Sequence, residues 1–331
     1  MKLIRQITCI MALSLFFWSC QTEEITQPEE PQSLATEAFI GNEVDAASNA
    51  RGSGLLTITS EYLDGINDAL AAKGMNYRVA SAELITASGS HEAGNTVLSK
   101  IVGNKQLTAD FVPGDTRRAW SSDSGNTITY AIDTTGDAVP ISDDVFGTNT
   151  NTDAAIERAT DTWRDVNCSD LGLIRNDDFG VDIGVVAFIN GLGGSPFVFA
   201  DVQHGGFRDI NYAAGVLGVT HTFVFTDIDG PTDVDNNGKA DVAFREIYYD
   251  PSWIWGDNGD GTNIDVESIA VHEIGHGLSQ GHFGTVKFKN NGAIKASPRA
   301  VMNALYTGPY VELAGTDNGG HCSNWGEWPN N

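Results

Sequence analysis

Residues 272–282 read His-Glu-Ile-Gly-His-Gly-Leu-Ser-Gln-Gly-His, and their spacing decides how the rest of the chain is read. On a helix, residues four apart share one face, so His272 and His276 can grip one metal ion. Glu273 follows the first histidine and can reach a water bound to that metal. His282, beyond a short glycine-containing bend, offers a third nitrogen. Three neutral imidazoles with one position left open make a catalytic zinc site, whereas a structural site is closed by a fourth protein ligand. The preceding segment, Asn263 to Ala270, has the caps and apolar spacing of the helix that would carry the first two ligands.

Downstream stands Ala300-Val301-Met302-Asn303. With it, the pattern resembles the metzincin metallopeptidases, whose signature is HExxHxxGxxH followed by a methionine turn. The similarity runs from about Asn126 to the C-terminus. It lies nearer to matrixin-like enzymes than to astacins, since Phe283 stands where astacins carry a glutamate. The resemblance implies an α+β catalytic domain with a twisted mixed sheet, an active-site helix and a Met-turn. It implies zinc on His272, His276 and His282, with Glu273 as the base that takes a proton from water and passes it to the leaving amine. Met302 would form an apolar floor beneath the ligands. The expected activity is hydrolysis of peptide bonds in a protein or peptide substrate, by a monomer.

Two positions depart from the family pattern. Ser279 stands where the family has a glycine, and a left-handed backbone there costs a non-glycine residue about 1 kcal/mol. Gly277 and Gly281 flank it and are expected to share the bend. Nor is there a tyrosine two residues after Met302. Tyr306 and Tyr310 lie further on, so no transition-state-stabilising tyrosine is assigned. Two other classes stay open. One is a gluzincin-like peptidase with Glu312 or Glu327 as third ligand, and the other is a non-catalytic surface lipoprotein that retains a metal site.

Composition narrows the partners. The chain has 331 residues, 41% of them hydrophobic, and a net charge of −25. That length and apolar content suit one large or two modest globular domains. With only 19 Lys and Arg, the charge speaks against nucleic acid as a partner. So many carboxylates suit a solvated extracellular surface with some calcium bound.

The N-terminus points to export. Residues 1–19 carry Lys2 and Arg5 and then an apolar run too short to span a membrane, the form of a secretory signal. Ser19-Cys20 resembles the lipobox of bacterial lipoproteins. The resemblance implies a lipid anchor at Cys20, the one expected membrane attachment, on the outer membrane or cell surface, unless processing releases the protein. Residues 20–53 are expected to be an acidic flexible tether: 21–50 hold seven carboxylates and no Lys or Arg.

A small α/β pro-region is expected over 54–118, with a helix at Ser60 to Lys73 and a strand at Tyr77 to Thr86. The catalytic domain would then span 119–331. Phe111-Val112-Pro113-Gly114-Asp115 ahead of Arg117-Arg118 resembles the FxGD aspartate switch of astacin propeptides, with one extra residue. By that resemblance Asp115 would block the open metal position until the basic pair is cut. A plain inter-domain turn is the alternative.

Within the catalytic part, Ile128 to Ile132 reads as a strand and Asp153 to Val166 as an amphipathic helix. Strand-like runs follow at Ile183 to Ile189, Phe197 to Gln203 and Val219 to Thr226. Asp233, Asp235, Asn237 and Asp241 place oxygens as in the first half of an EF-hand loop, but Phe244 replaces the closing glutamate. A calcium-stabilised loop and a solvated acidic turn both fit. His204 and His221 are expected to be satisfied strand histidines. Cys168 and Cys322, the cysteines beyond the leader, suggest one disulfide in an exported chain, with two free thiols as the alternative.

Overall fold

A computed structural model describes residues 60–87, 107–118, 125–133, 152–176, 180–210, 212, 215–257, 259, 261, 263–288 and 294–330. The expected signal, Cys20 and the tether lie outside the described residues. Among those described, no helix is long and apolar enough to cross a membrane.

The architecture is mixed α and β around a mixed sheet. Helix α1 (Ser60–Ala72) leads to strand β1 (Tyr77–Ala87) and the short β2 (Ala109–Asp110). Strand β3 (Ile128–Ile132), helix α2 (Thr152–Arg164), strand β4 (Leu173–Arg175) and helix α3 (Val185–Ile189) follow. Strands β5 (Val202–Phe207), β6 (Val216–Asp227), β7 (Gly230–Pro231) and β8 (Ala240–Tyr249) complete most of the sheet. After β9 (Trp255–Gly256) and β10 (Ile264–Asp265) comes helix α4 (Val266–Gly277). The chain ends through β11 (Thr285–Phe288), β12 (Ile294–Ser297), β13 (Leu305–Tyr306) and helix α5 (Gly315–Trp325).

The strand order is β13-β1-β6-β8-β5-β3-β4. Strands β8, β5, β3 and β4 run parallel, and β6 is antiparallel to β8. Strand β1 pairs antiparallel with β6 from Tyr77↔Phe225 to Thr86↔Val216, and parallel with β13 at Thr86↔Leu305. The stretch expected as part of a unit ahead of the catalytic domain therefore supplies a strand to the interior of the main sheet.

Alternation along β6 and β8 splits the core between two faces. One face packs Val224, Ile247 and Tyr249 with Ile156 and Trp163 of α2 and Ile269 of α4. The other packs Phe223, Phe225, Phe244 and Tyr248 with Tyr62, Ile66 and Leu70 of α1 and Val185 of α3. The Trp163 indole donates to the Val271 carbonyl at 2.7 Å, which fixes α2 against α4. Cys168, just after α2, is disulfide-bonded to Cys322 of α5, with Cα atoms 5.6 Å apart.

Several expected elements shift. Residues 185–189 form a helical turn rather than a strand. An apolar run that short does not distinguish the two periods. The buried Glu246 carboxylate decides it by accepting from the Val185 and Val186 N–H groups at 2.6 and 2.9 Å. The run expected at 197–203 becomes a strand only from Val202. Strand β8 begins inside the acidic motif and buries Phe244 completely, which is why an apolar residue occupies that place.

Candidate metal centre

Helix α4 starts on Asp265, whose side chain accepts from the Ser268 N–H, and runs through both histidines. Its last turn is followed by Ser279 in a left-handed conformation, φ 66°. Neither Gly277 nor Gly281 has positive φ, so the bend falls on the serine alone. The conformation is held by its surroundings. The Ser279 hydroxyl accepts from Arg245 Nη1 at 2.8 Å, and its carbonyl accepts from the Leu107 N–H at 3.0 Å.

The bend brings the third histidine to the first two. His276 Nε2 lies 3.0 Å from His272 Nε2 and 3.1 Å from His282 Nε2. The opposite ring nitrogens are committed elsewhere. Nδ1 of His272 donates to the Val301 carbonyl and Nδ1 of His276 to the Gln280 carbonyl, each at 2.7 Å. The His282 ring turns Nδ1 toward β1, beside the Leu84 carbonyl and 3.9 Å from Glu83 Oε2. With Nδ1 carrying the proton in each ring, the Nε2 atoms are all acceptors, and no hydrogen bond can form among them. Three lone pairs converging this closely repel one another unless a cation lies between them, so the donor set fits a metal ion. Burial lowers the pKa of all three rings, that of His272 to about 4, which keeps them neutral as ligands must be.

Glu273 is fully buried beside them. Its Oε2 accepts from the Thr220 hydroxyl at 2.5 Å, and the Ile85 N–H of β1 faces the same carboxylate. Oε1 is buried without a hydrogen-bond partner. A buried carboxylate oxygen left orphaned is costly, and this one suits a water held by a metal ion on the neighbouring histidines. Gly218 on β6 makes room, since a Cβ there would stand 2.9 Å from Oε1.

Met302 lies beneath the ligand helix. A Cβ added at Gly275, between the two helical histidines, would overlap its Sδ. Asp317 of α5 fixes the turn by accepting from the Val301 and Met302 N–H groups at 2.9 and 3.1 Å. Thr220, Gly218, Gly275 and Asp317 carry no sequence motif, and only their positions across the sheet and the turn reveal them.

The other singled-out residues fall elsewhere. Asp115 is held by Arg117 at 2.7 Å and is not part of the histidine group. Arg117 also pairs with Asp241, and Arg118 is buried against Asp201 at 2.7 Å. Asp233, Asp235 and Asp241 form a second group that could hold a metal, on the loop entering β8. Asn237 Oδ1 in that loop accepts from the Lys239 N–H. The Tyr306 hydroxyl accepts from the Asp265 N–H at the start of α4, and Tyr310 stacks with Arg299. Glu312 and Glu327 do not belong to the histidine group. His204 and His221 are buried in β5 and β6, bonded to the Tyr249 and Tyr62 hydroxyls.

No protein-family model matches this sequence, and no curated protein matches it either. The site therefore stands on its own geometry: three converging imidazole acceptors and, next in sequence to the first of them, a buried carboxylate.

Proposed function

We propose that the chain is an exported, zinc-dependent endopeptidase of the metzincin type, reaching the cell surface through its leader and Cys20 or released by processing. The observation that carries this reading is the convergence of three Nε2 acceptors beside the orphaned Glu273 Oε1. His272, His276 and His282 would hold the zinc. When bound, zinc polarises a scissile carbonyl and makes its water acidic near neutral pH. Glu273 acts as general base toward the attacking water. The proton it takes passes to the leaving amine. Thr220 holds the carboxylate in place, and Met302 fills the space under the helix so that the histidines cannot sag. Calcium at Asp233, Asp235 and Asp241 belongs to this proposal as a support of the β8 loop.

The test separates the classes. Glu273→Gln should keep stoichiometric zinc and lower peptide hydrolysis by roughly 10²–10⁴-fold. Undiminished cleavage would remove Glu273 as the base. His282→Ala should lose zinc, and unchanged zinc affinity would return the third-ligand role to a glutamate such as Glu312 or Glu327. A binding lipoprotein would show no cleavage in the parent chain at all.

A further inference from the structure

Taking the histidine group as a zinc centre, we infer that strand β1 is a working part of that centre in the mature protein. The Leu84 carbonyl sets the third ligand, the Ile85 N–H sets the base, and Glu83 supports His282.

The three histidines are oriented in one way. His272 and His276 donate their outer nitrogens to backbone carbonyls of the Met302 turn and of the bend after α4, and the outer nitrogen of His282 turns to β1, beside the Leu84 carbonyl. Such partners fix tautomer and ring angle and raise ligand basicity. Val301 and Gln280 lie close to the ligands in sequence or in the family turn. Leu84 lies almost two hundred residues earlier, yet it does the same task. The Glu83 carboxylate adds to it, 3.9 Å from His282 Nδ1. One residue further along, the Ile85 N–H meets Glu273 opposite Gly218, its register partner on β6. Without β1, the His282 ring would lose the groups that orient its Nδ1, and the Glu273 carboxylate would lose the strand that lies against it beside Thr220.

Two further observations oppose removal of this segment. The dibasic pair that would be cut is folded in: Arg118 is buried on Asp201, and Arg117 is clamped by Asp115 and Asp241. Loss of α1 and β1 would also bare Phe223, Phe225 and Phe244, which pack against Tyr62, Ile66, Leu70 and Tyr77. A covering segment meant to leave would not be expected to close both the ligand shell and the core.

The experiment uses the full chain with a site for a specific protease inserted within residues 119–124. After cutting, the N-terminal piece should co-elute with the remainder, with zinc content and peptide cleavage within about twofold of the uncut protein. In the uncut chain, Glu83→Gln should release zinc to a chelator about tenfold faster, the low end for loss of an outer-shell partner. Its Tm should be unchanged, with kcat lowered and KM unaltered. A merely structural residue would move Tm and leave zinc release alone. If the N-terminal piece departs and the remainder keeps its zinc and cleaves faster, β1 is a removable inhibitor and the inference fails. Parental zinc release in Glu83→Gln removes Glu83 from the centre. An uncut chain that takes up no zinc overturns the zinc reading and this inference together, whereas zinc uptake that ignores β1 overturns only the latter.

Discussion

Gly275 sits one residue before His276, and its missing side chain lets Met302 press against the helix backbone. Helix propensity alone would favour alanine there by up to about 1 kcal/mol. An alanine Cβ, however, would overlap Met302 Sδ and stand 3.0 Å from the Trp163 ring. Overpacking of a buried site costs about 1–3 kcal/mol, so the clash wins. Gly275→Ala should lower stability in urea and weaken zinc binding. Adding Met302→Ala should restore part of the stability, and a double-mutant cycle without coupling would show that the two side chains do not compete for the space.

At the scale of the element, α4 ends where Arg245 of β8 crosses the sheet to reach it. Its buried guanidinium donates to the Gly277 carbonyl at 3.0 Å, the Ser279 hydroxyl at 2.8 Å, the Ala109 carbonyl at 2.9 Å and the Thr222 hydroxyl at 3.1 Å. A cation at a helix C-terminus is favourable in itself, and this one also enforces the left-handed bend. Two effects compete in Ser279→Gly. Relief of the positive φ is worth about 1 kcal/mol, but a hydrogen bond to a buried charge is worth about 1.5–3 kcal/mol. The second is larger, so Ser279→Gly should destabilise even though it relieves the backbone. Ser279→Asn, which tolerates the left-handed region and keeps an acceptor, should be milder. A glycine variant with a Tm above the parent would reverse this ranking.

For the molecule as a whole, each face of the sheet buries a histidine outside the metal group. Burial lowers both His204 and His221 to about 3. The unfolded chain then binds more protons than the folded one between about pH 3 and the ordinary histidine value near 6.5. Their contribution to stability is full above that value and falls as pH drops through the window. Buried carboxylates such as Glu246, raised by desolvation, work in the opposite direction, so the sign is best read by difference. His204→Gln should show a shallower loss of Tm from pH 6.5 to 4 than the parent, and identical slopes would mean that His204 titrates alike in the folded and the unfolded chain.

Local matters were legible in the chain alone: α1, β1, β3, α2 and the helix that carries His272 and His276, and the candidates His272, Glu273, His276, His282 and Met302. These are set by periodicity and by spacing within a few turns, which one stretch of chain carries on its own. It also marked Ser279 as the point where the backbone would turn left-handed. The helical turn at Val185–Ile189 comes from packing, because a glutamate from β8 caps it. Packing placed β1 between β6 and β13, and with it Leu84 and Ile85 beside His282 and Glu273. Backbone carbonyls and N–H groups are the same at every residue, so no pattern of side chains announces which of them will reach a distant histidine. Strand pairing over long sequence separation chooses them, and that choice belongs to the packed sheet.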